Sequence, residues 1–336
     1  MSSVYNASSS LQLGTNLEFI SELDEAFLHA SNQPSSLISV ADYGCSGGKN
    51  SMIAFGSSIE KFRKTCPKPI SIYHVDLTSN HWSQVFDVIR SNRFSYLKQS
   101  KVYMFATGGD FYTQLFPDES IDIGYSCMSI HWLSEELVIP DHYYPYSSSD
   151  PAVLQKAKEV AGRDLHRFLE HRRNELRTGG WLLLHSGTDG EALREFKEPL
   201  NLALRDLVER EVMTQREYER FTNSAYFRTE EDWRSALGQF PELKLVKLRQ
   251  ARYYHPSWQQ FLQDGNEELA ADGYTRYVKG WSENIVLRSL DRNRTEADKT
   301  SILEQVFGRL FERNKENIRP FVMHSLYLVI EKVAVA

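Results

Sequence analysis

The sequence predicts an α/β fold, a mostly parallel seven-stranded sheet with helices on its faces and a helical cap above it. Three observations carry that expectation. The stretch Leu37-Ile-Ser-Val-Ala-Asp-Tyr-Gly-Cys-Ser-Gly-Gly-Lys-Asn50 starts as an apolar, β-branched run and turns on Gly44, Gly47 and Gly48. It continues with Met52, Ile53 and Phe55 on helical apolar positions, so it reads as strand, glycine turn and helix. A second apolar run, Pro69-Ile-Ser-Ile-Tyr-His-Val-Asp-Leu77, places Asp76 about thirty residues after Gly44, which suits a βαβ unit. The last two strand candidates are separated by about seventy residues, far too many for a hairpin loop, and that insertion reads as a helical cap.

Composition narrows the function classes. The 336 residues are 41% hydrophobic and 25% charged, ordinary for a globular chain with a large core. A net charge of −6 argues against a nucleic-acid partner, which needs a basic face. No apolar run is long enough to span a bilayer, so no membrane partner is expected. The N-terminus lacks a basic segment followed by an apolar one. The three cysteines, Cys45, Cys66 and Cys127, are odd in number and widely spaced. Both features suit reduced thiols in a cytoplasmic protein, with no disulfide framework and no metal site. Cys45 lies in the glycine turn without an activating base in sequence and reads as a small packing residue.

In chain order, residues 1–16 form a polar leader, ordered only if it folds over something. Leu17, Ile20, Leu23, Phe27 and Leu28 follow near helical spacing. At the glycine turn, missing Cβ atoms let backbone approach a polar ligand, and the helix start offers unpaired N–H groups. The loop reads Gly44-Cys-Ser-Gly-Gly48 and not G-x-G-x-x-G, and Gly48-Lys49 is followed by Asn50, so neither a dinucleotide fingerprint nor a phosphate loop fits. What remains is D-x-G-x-x-G, as in S-adenosylmethionine (SAM)-dependent methyltransferases, with Asp42 able to hold an ammonium group; an ordinary tight βα turn stays equally open. Asp76, ending the second strand, suits both ribose hydroxyls, with Leu77 against a base, or it caps the next turn. Residues 101–106 are the third strand and run into Asp110 and Phe111, which either face an adenine or form an Asx turn with a core phenylalanine. Residues 120–133 are the fourth strand and its exit, with His131 and Trp132 beyond the strand's carboxyl end, where open parallel sheets bind ligands. Residues 151–176 read as a long charged helix that Thr178-Gly179-Gly180 ends. Residues 181–185 are the fifth strand, 191–220 are helical, and 240–248 and 325–333 are the last two strands.

Five motifs recur in order along the chain. Tyr5-Asn-Ala-Ser-Ser-Ser-Leu-Gln12 keeps Tyr5, Ser9 and Gln12 of a leader Y-x-x-N-S-x-x-Q, and Asp42-Tyr-Gly-Cys-Ser-Gly-Gly-Lys-Asn50 reads D-x-G-C-S-x-G-x-N. Asp76-Leu-Thr-Ser-Asn-His-Trp82 keeps Asp76, Leu77 and Asn80 of D-L-P-x-N-D-F. Gly109-Asp-Phe-Tyr-Thr-Gln-Leu-Phe-Pro117 follows G-S-F-Y-x-x-L-F-P with Asp110 in place of Ser, and Ser126-Cys-Met-Ser-Ile-His-Trp-Leu-Ser134 parallels S-S-Y-S-L-x-W-L-S. Together they resemble the SABATH family, the salicylate, benzoate and jasmonate carboxyl methyltransferases and their relatives. Most departures fall on the acceptor side.

The resemblance implies the class I SAM-dependent methyltransferase fold, Rossmann-like, with residues 17–188, 236–254 and 321–336 as the core. Residues 189–235 and 255–320 are then the cap that forms the substrate pocket, and residues 1–16 close over the active site. It implies methyl transfer from SAM to the carboxylate of a small-molecule acid, with S-adenosylhomocysteine (SAH) as product. A carboxylate is ionised at neutral pH and needs no general base. By resemblance Gln12 and Trp132 are the catalytic donors that aim the carboxylate. Ser9, Asp42 and Asn50 hold the methionyl end of SAM, Gly44 is a further cofactor-binding residue, Asp76 and Leu77 hold the ribose and adenine, and Asp110 and Phe111 face the adenine. Met128, His131, Tyr226 and Trp281 line the acceptor pocket beside Gln12 and Trp132. For His131, a bond to a substrate substituent or to backbone both remain open, as do a pocket-shortening and a cap-core role for Trp281. The resemblance adds a homodimer. N-methylation of a heterocycle and a non-catalytic SAM-binding protein remain as alternatives.

Overall fold

The computed structural model describes residues 10–335. Its sheet is built from β1 (Ile38–Tyr43), β2 (Ile70–Asp76), β3 (Val102–Gly108), β4 (Ile121–Cys127), β5 (Leu176–Thr188), β6 (Leu243–Tyr254) and β7 (Val322–Lys332). The strand order is β3-β2-β1-β4-β5-β7-β6, parallel throughout except for β7, which runs antiparallel to both neighbours. The order reverses between β1 and β4, so a crevice opens there at the strands' carboxyl ends. β1 is buried along its whole length, as a strand covered on both faces must be. The expected seven-stranded, mostly parallel sheet is therefore the architecture of the protein.

Several boundaries differ from the sequence expectation. The glycines at 179 and 180 do not end the long helix; the strand already begins at Leu176. Ile121 pairs with Leu176 and Ile123 with Trp181, so β5 bulges by several residues, and Gly179, at φ +80°, makes the left-handed turn that the bulge requires. β6 runs on to Tyr254, beyond its apolar part, because an edge strand alternates toward solvent and carries Arg249 and Arg252 there.

The helices in chain order are α1 (Ser10–Leu17), α2 (Ile20–Ser31), α3 (Lys49–Phe62), α4 (Trp82–Ser91), α5 (Pro151–Glu175), α6 (Glu191–Glu209), α7 (Gln215–Arg220), α8 (Glu230–Leu237), α9 (Pro256–Asp264), α10 (Glu267–Ser289) and α11 (Glu296–Glu316). Leu17 and Leu28 are exposed, against expectation, because the chain breaks between α1 and α2 and turns Phe19, Leu23 and Phe27 inward instead. α1 is too short to hold its shape alone. It is tied down by Leu11, fully buried in the cluster made by α6, α10 and α11, which is worth about 2 kcal/mol. Tyr125 Oη donates to Asn16 Oδ1 at 2.7 Å, and Tyr327 Oη donates to the Thr15 carbonyl at 3.1 Å. Hence the described part of the leader joins the sheet to the helices of the 189–320 region.

Candidate active site

The glycine turn after β1 is shaped by sterics. Gly44 has φ +84°, and a Cβ there would lie 2.4 Å from Ser129 Cβ, so only glycine fits. The Gly44 and Cys45 N–H groups both donate to the Val75 carbonyl at 2.9 Å. Asp76 closes the other side: Oδ2 accepts from the Ser46 N–H at 2.6 Å and Oδ1 from the Leu77 N–H at 2.9 Å. Burial raises the Asp76 carboxyl, and those two donors act against it. Asn80 Nδ2 donates to the Ser46 carbonyl at 2.8 Å. Burial, with Asp42 and Asp76 nearby, pushes the Cys45 thiol well above its usual value, which suits packing and not attack.

Asp42 is buried at the end of β1. Its Oδ2 accepts from Ser51 Oγ at 2.6 Å and from His74 Nδ1 at 2.8 Å, while His74 Nε2 lies 2.7 Å from Tyr96 Oη. This Asp42–His74–Tyr96 chain fixes the carboxylate's rotamer and leaves Oδ1 clear of those bonds. Gln12, Asn16, Asp42, Gly44 and Asn50 line one narrow cavity of about 20 Å³, room for roughly one water. Among the described residues, Gln12 Oε1 is buried there without a hydrogen-bond partner.

Phe111 comes near the same turn, its ring 3.6 Å from where a Gly44 Cβ would be. Asp110 Oδ1 accepts from the Tyr112 N–H at 2.9 Å, an Asx turn. Leu77 is exposed at the end of β2. Ser9 lies outside the described residues.

Beyond β4 the chain is held by its backbone. Met128 has φ +56°. Tyr112 Oη donates to the Trp132 carbonyl at 2.6 Å, the Tyr226 N–H donates to the His131 carbonyl at 2.9 Å, and Trp132 bridges Ala225. His131 stacks on Phe227 at 5.0 Å, its ring 5.2 Å from that of Trp132. Burial, reinforced by the charges of Lys197 and Arg228, pushes the imidazole down to about 3, so it is neutral at physiological pH. Among the described residues its buried Nδ1 has no partner. Met128, Trp132 and Trp281 pack against the same apolar cluster as Leu11 and Tyr143. The Tyr226 ring goes elsewhere: it stacks on Tyr146 at 5.7 Å and lines a separate cavity of about 540 Å³ with Asp189 and Arg194.

Sequence reasoning passes over four residues here. His74 looked like one polar letter in an apolar strand. Arg172 and Glu175 looked like two charges on a solvated helix, yet both are fully buried. Lys197 belongs with them in kind: it is 6% exposed, its Nζ 4.4 Å from the Trp281 ring. The signal was there, since Lys197 falls on the apolar stripe of Leu193, Leu200 and Leu204.

Comparison with known proteins bears on the family and the fold. A family model described as SAM dependent carboxyl methyltransferase matches residues 2–330. Gibberellic acid methyltransferase 2 of Arabidopsis thaliana is 24% identical over 258 residues, 68% of this chain and 66% of that protein. Monomethylxanthine methyltransferase 2 of Coffea arabica is 29% identical over 233 residues, 60% of each chain. Among other curated relatives the matched region spans about half the protein, 46% for one from Theobroma cacao and 56% for one from Coffea canephora. The solved structure of a loganic acid methyltransferase with SAH superimposes with a TM-score of 0.78 at 20% identity, covering 98% of this chain and 96% of that one, a likeness of fold. The strand order, the Asp42–Gly44 turn and a family match over nearly the whole chain lead to one conclusion: this chain belongs to the SABATH family of SAM-dependent carboxyl methyltransferases.

Proposed function

We propose that this chain esterifies the carboxylate of a small-molecule acid, using SAM as methyl donor. The residues fit that cofactor: the Gly44 cradle would be filled by a single Cβ, and a buried, anchored Asp42 and a half-buried Asp76 sit at adjacent strand ends. Asp42 and Asn50 would hold its methionyl end, Asp76 its ribose, and Leu77, Asp110 and Phe111 would face its adenine. When bound, SAM supplies an electrophilic methyl on a sulfonium centre.

The observation that carries the reading is His131. Its ring lies beside Trp132, and an imidazole that burial holds near 3 is too weak a base to deprotonate a hydroxyl at neutral pH. An acceptor that is already anionic needs no such base. The chain's own work is then placement. The Gln12 amide and the Trp132 indole donate to the carboxylate and aim one oxygen within about 3–3.5 Å of the reacting carbon. Both donors are neutral, so they orient the anion without quenching it. The apolar walls around Met128, Trp132 and Trp281 keep water out, and water would favour the separated charges over the transition state.

Calorimetry with SAM, followed by labelled methyl transfer over a panel of small acids, tests the reading. Trp132→Phe is expected to lower carboxyl methylation at least about tenfold while SAM affinity holds, since one donor to the acceptor is lost and none to the cofactor. Equal activity in that variant removes Trp132 from the mechanism. A second reading, transfer to a ring nitrogen, draws on the xanthine methyltransferases among the relatives; turnover of xanthines alone would select it. The cytoplasmic homodimer is part of the proposal, and sedimentation of the pure protein tests the dimer.

A further inference from the structure

Lys197 is a buried amine that, among the described residues, has no carboxylate in ion-pair contact. It projects from the apolar face of α6. Its Nζ lies 4.4 Å from the Trp281 ring, 4.6 Å from Tyr144 and 5.6 Å from Tyr143. Tyr143 Oη donates to the Lys197 carbonyl at 2.9 Å, which fixes the helix against this cage. Among the described residues no carboxylate lies within ion-pair distance of Nζ. Asp189, whose field reaches it, is already engaged: Oδ1 accepts from Tyr144 Oη at 2.9 Å and Oδ2 from Arg194.

Three aromatic faces offset part of the cost of burying an ammonium, at about 0.5–2 kcal/mol for each good contact. They do not replace a counter-ion, and burial pulls the lysine down to about 7. Among the described residues, one buried polar atom nearby is unsatisfied. His131 Nδ1 is buried with no partner, and among charged groups Lys197 acts most strongly on that ring. Trp281, which forms one wall of the cage, packs in the same cluster as Met128 and Trp132. Tyr144, under the Lys197 amine, has its ring 6.3 Å from that of Phe227, on which His131 stacks, so the amine borders the acceptor end of the site.

We infer that Lys197 binds a second anionic group of the acceptor, so that the substrate is a dicarboxylic acid esterified at one end. The remote carboxylate pairs with Lys197 Nζ within the cage of Tyr143, Tyr144 and Trp281. His131, in its Nδ1–H tautomer, supplies a further neutral donor. Which end reacts rests on the carboxyl-methylation reading above; the binding of the diacid does not.

Calorimetry on the full chain saturated with SAH tests this with matched probes: isophthalate and terephthalate against benzoate, and glutarate against butyrate. In the wild type a diacid is expected to bind at least tenfold more tightly than its monoacid, about 1.4 kcal/mol. In Lys197→Met that ratio collapses, and in Lys197→Arg part of it returns. Lys197→Met removes a buried charge and is expected to melt no lower than the wild type; if it fails to fold, Lys197→Gln takes its place. Equal affinity for diacid and monoacid in the wild type, a ratio that survives the substitution, or binding of no diacid each overturns the assignment. Diacids that bind through Lys197 but yield no labelled ester leave the assignment standing and refute the proposed function instead.

Discussion

Replacing Arg172 by methionine tests how the 111–116 loop beside the glycine turn is held. Arg172 and Glu175 are adjacent turns of α5, both fully buried, joined by Nε to Oε2 at 2.9 Å and Nη2 to Oε1 at 2.8 Å. The guanidinium also donates to the Phe111 carbonyl at 2.6 Å and the Thr113 carbonyl at 2.9 Å, and lies 4.2 Å from the Tyr43 ring. Glu175 in turn accepts from Tyr43 Oη at 2.6 Å and from the Leu115 and Phe116 N–H groups. Four backbone groups of the 111–116 loop thus hang on one ion pair. Methionine keeps the volume and leaves Glu175 charged, buried and without its cation, a change that costs about 3–5 kcal/mol. For a chain of 336 residues the unfolding entropy is about 0.7 kcal/mol/K, so a loss of about 4 kcal/mol lowers Tm by about 6 °C. The loop it frees carries Phe111, which packs toward Gly44, so SAH affinity is expected to fall as well. Arg172→Lys should recover less than half of the loss, because a point charge cannot serve two carbonyls and a bidentate carboxylate together. Urea unfolding followed at 280 nm measures the first effect and calorimetry with SAH the second. A destabilisation below about 1 kcal/mol, or a lysine variant equal to the wild type, refutes the argument.

Gly44→Ala combines a positive φ, costing about 1–2 kcal/mol, with a Cβ that meets Ser129; a lowered Tm and weaker SAH binding are expected, and wild-type affinity would count against the cradle. Glu217 accepts from Arg294 Nε at 2.6 Å and Nη2 at 2.7 Å and from the Thr214 and Asp291 N–H groups at 2.9 and 2.8 Å. Desolvation alone would raise its carboxyl, but these donors prevail and hold it at about 2, below the unfolded value of 4.5. Its contribution of about 3 kcal/mol is therefore complete above pH 4.5 and is lost as pH falls toward 2, so Glu217→Gln should flatten the acid limb of a stability–pH profile.

The sheet was legible because its strands are continuous apolar runs and because Gly44 answers to a local steric rule. Each of those signals is confined to a few residues. The misread boundaries show the limit of such signals: Gly179 looks like a helix terminator until β4 is laid beside β5 and a bulge needs its positive φ. Tyr226 shows a second limit. The motif places its backbone beside His131, but its ring turns to Tyr146, a choice made by neighbours about eighty residues away in sequence. Buried charge is the least legible of all. Arg172, Glu175 and Lys197 stand on helices rich in solvated charge, and only tertiary packing distinguishes them.

The position of Lys197 also bears on why, in the proposed reaction, neutral donors would meet the reacting carboxylate. That carboxylate loses its charge as the new bond forms, so a cation beside it favours the ground state and slows the step. Two unit charges about 8 Å apart at an effective dielectric of about 20 still interact by about 2 kcal/mol, so an unpaired ammonium in the same pocket would exert part of this penalty from a distance. A second carboxylate removes it. That group keeps its charge from binding to release, pairs with Lys197 equally in both states, and cancels the field that the reacting oxygen feels. The same lysine then contributes affinity through the unreactive end of the substrate and selects against monoacids, whose reacting carboxylate alone would face its charge. On this argument the preference for diacids should appear in kcat as well as in binding, and a preference confined to KM would mean that Lys197 is too far from the reacting carboxylate for its field to matter.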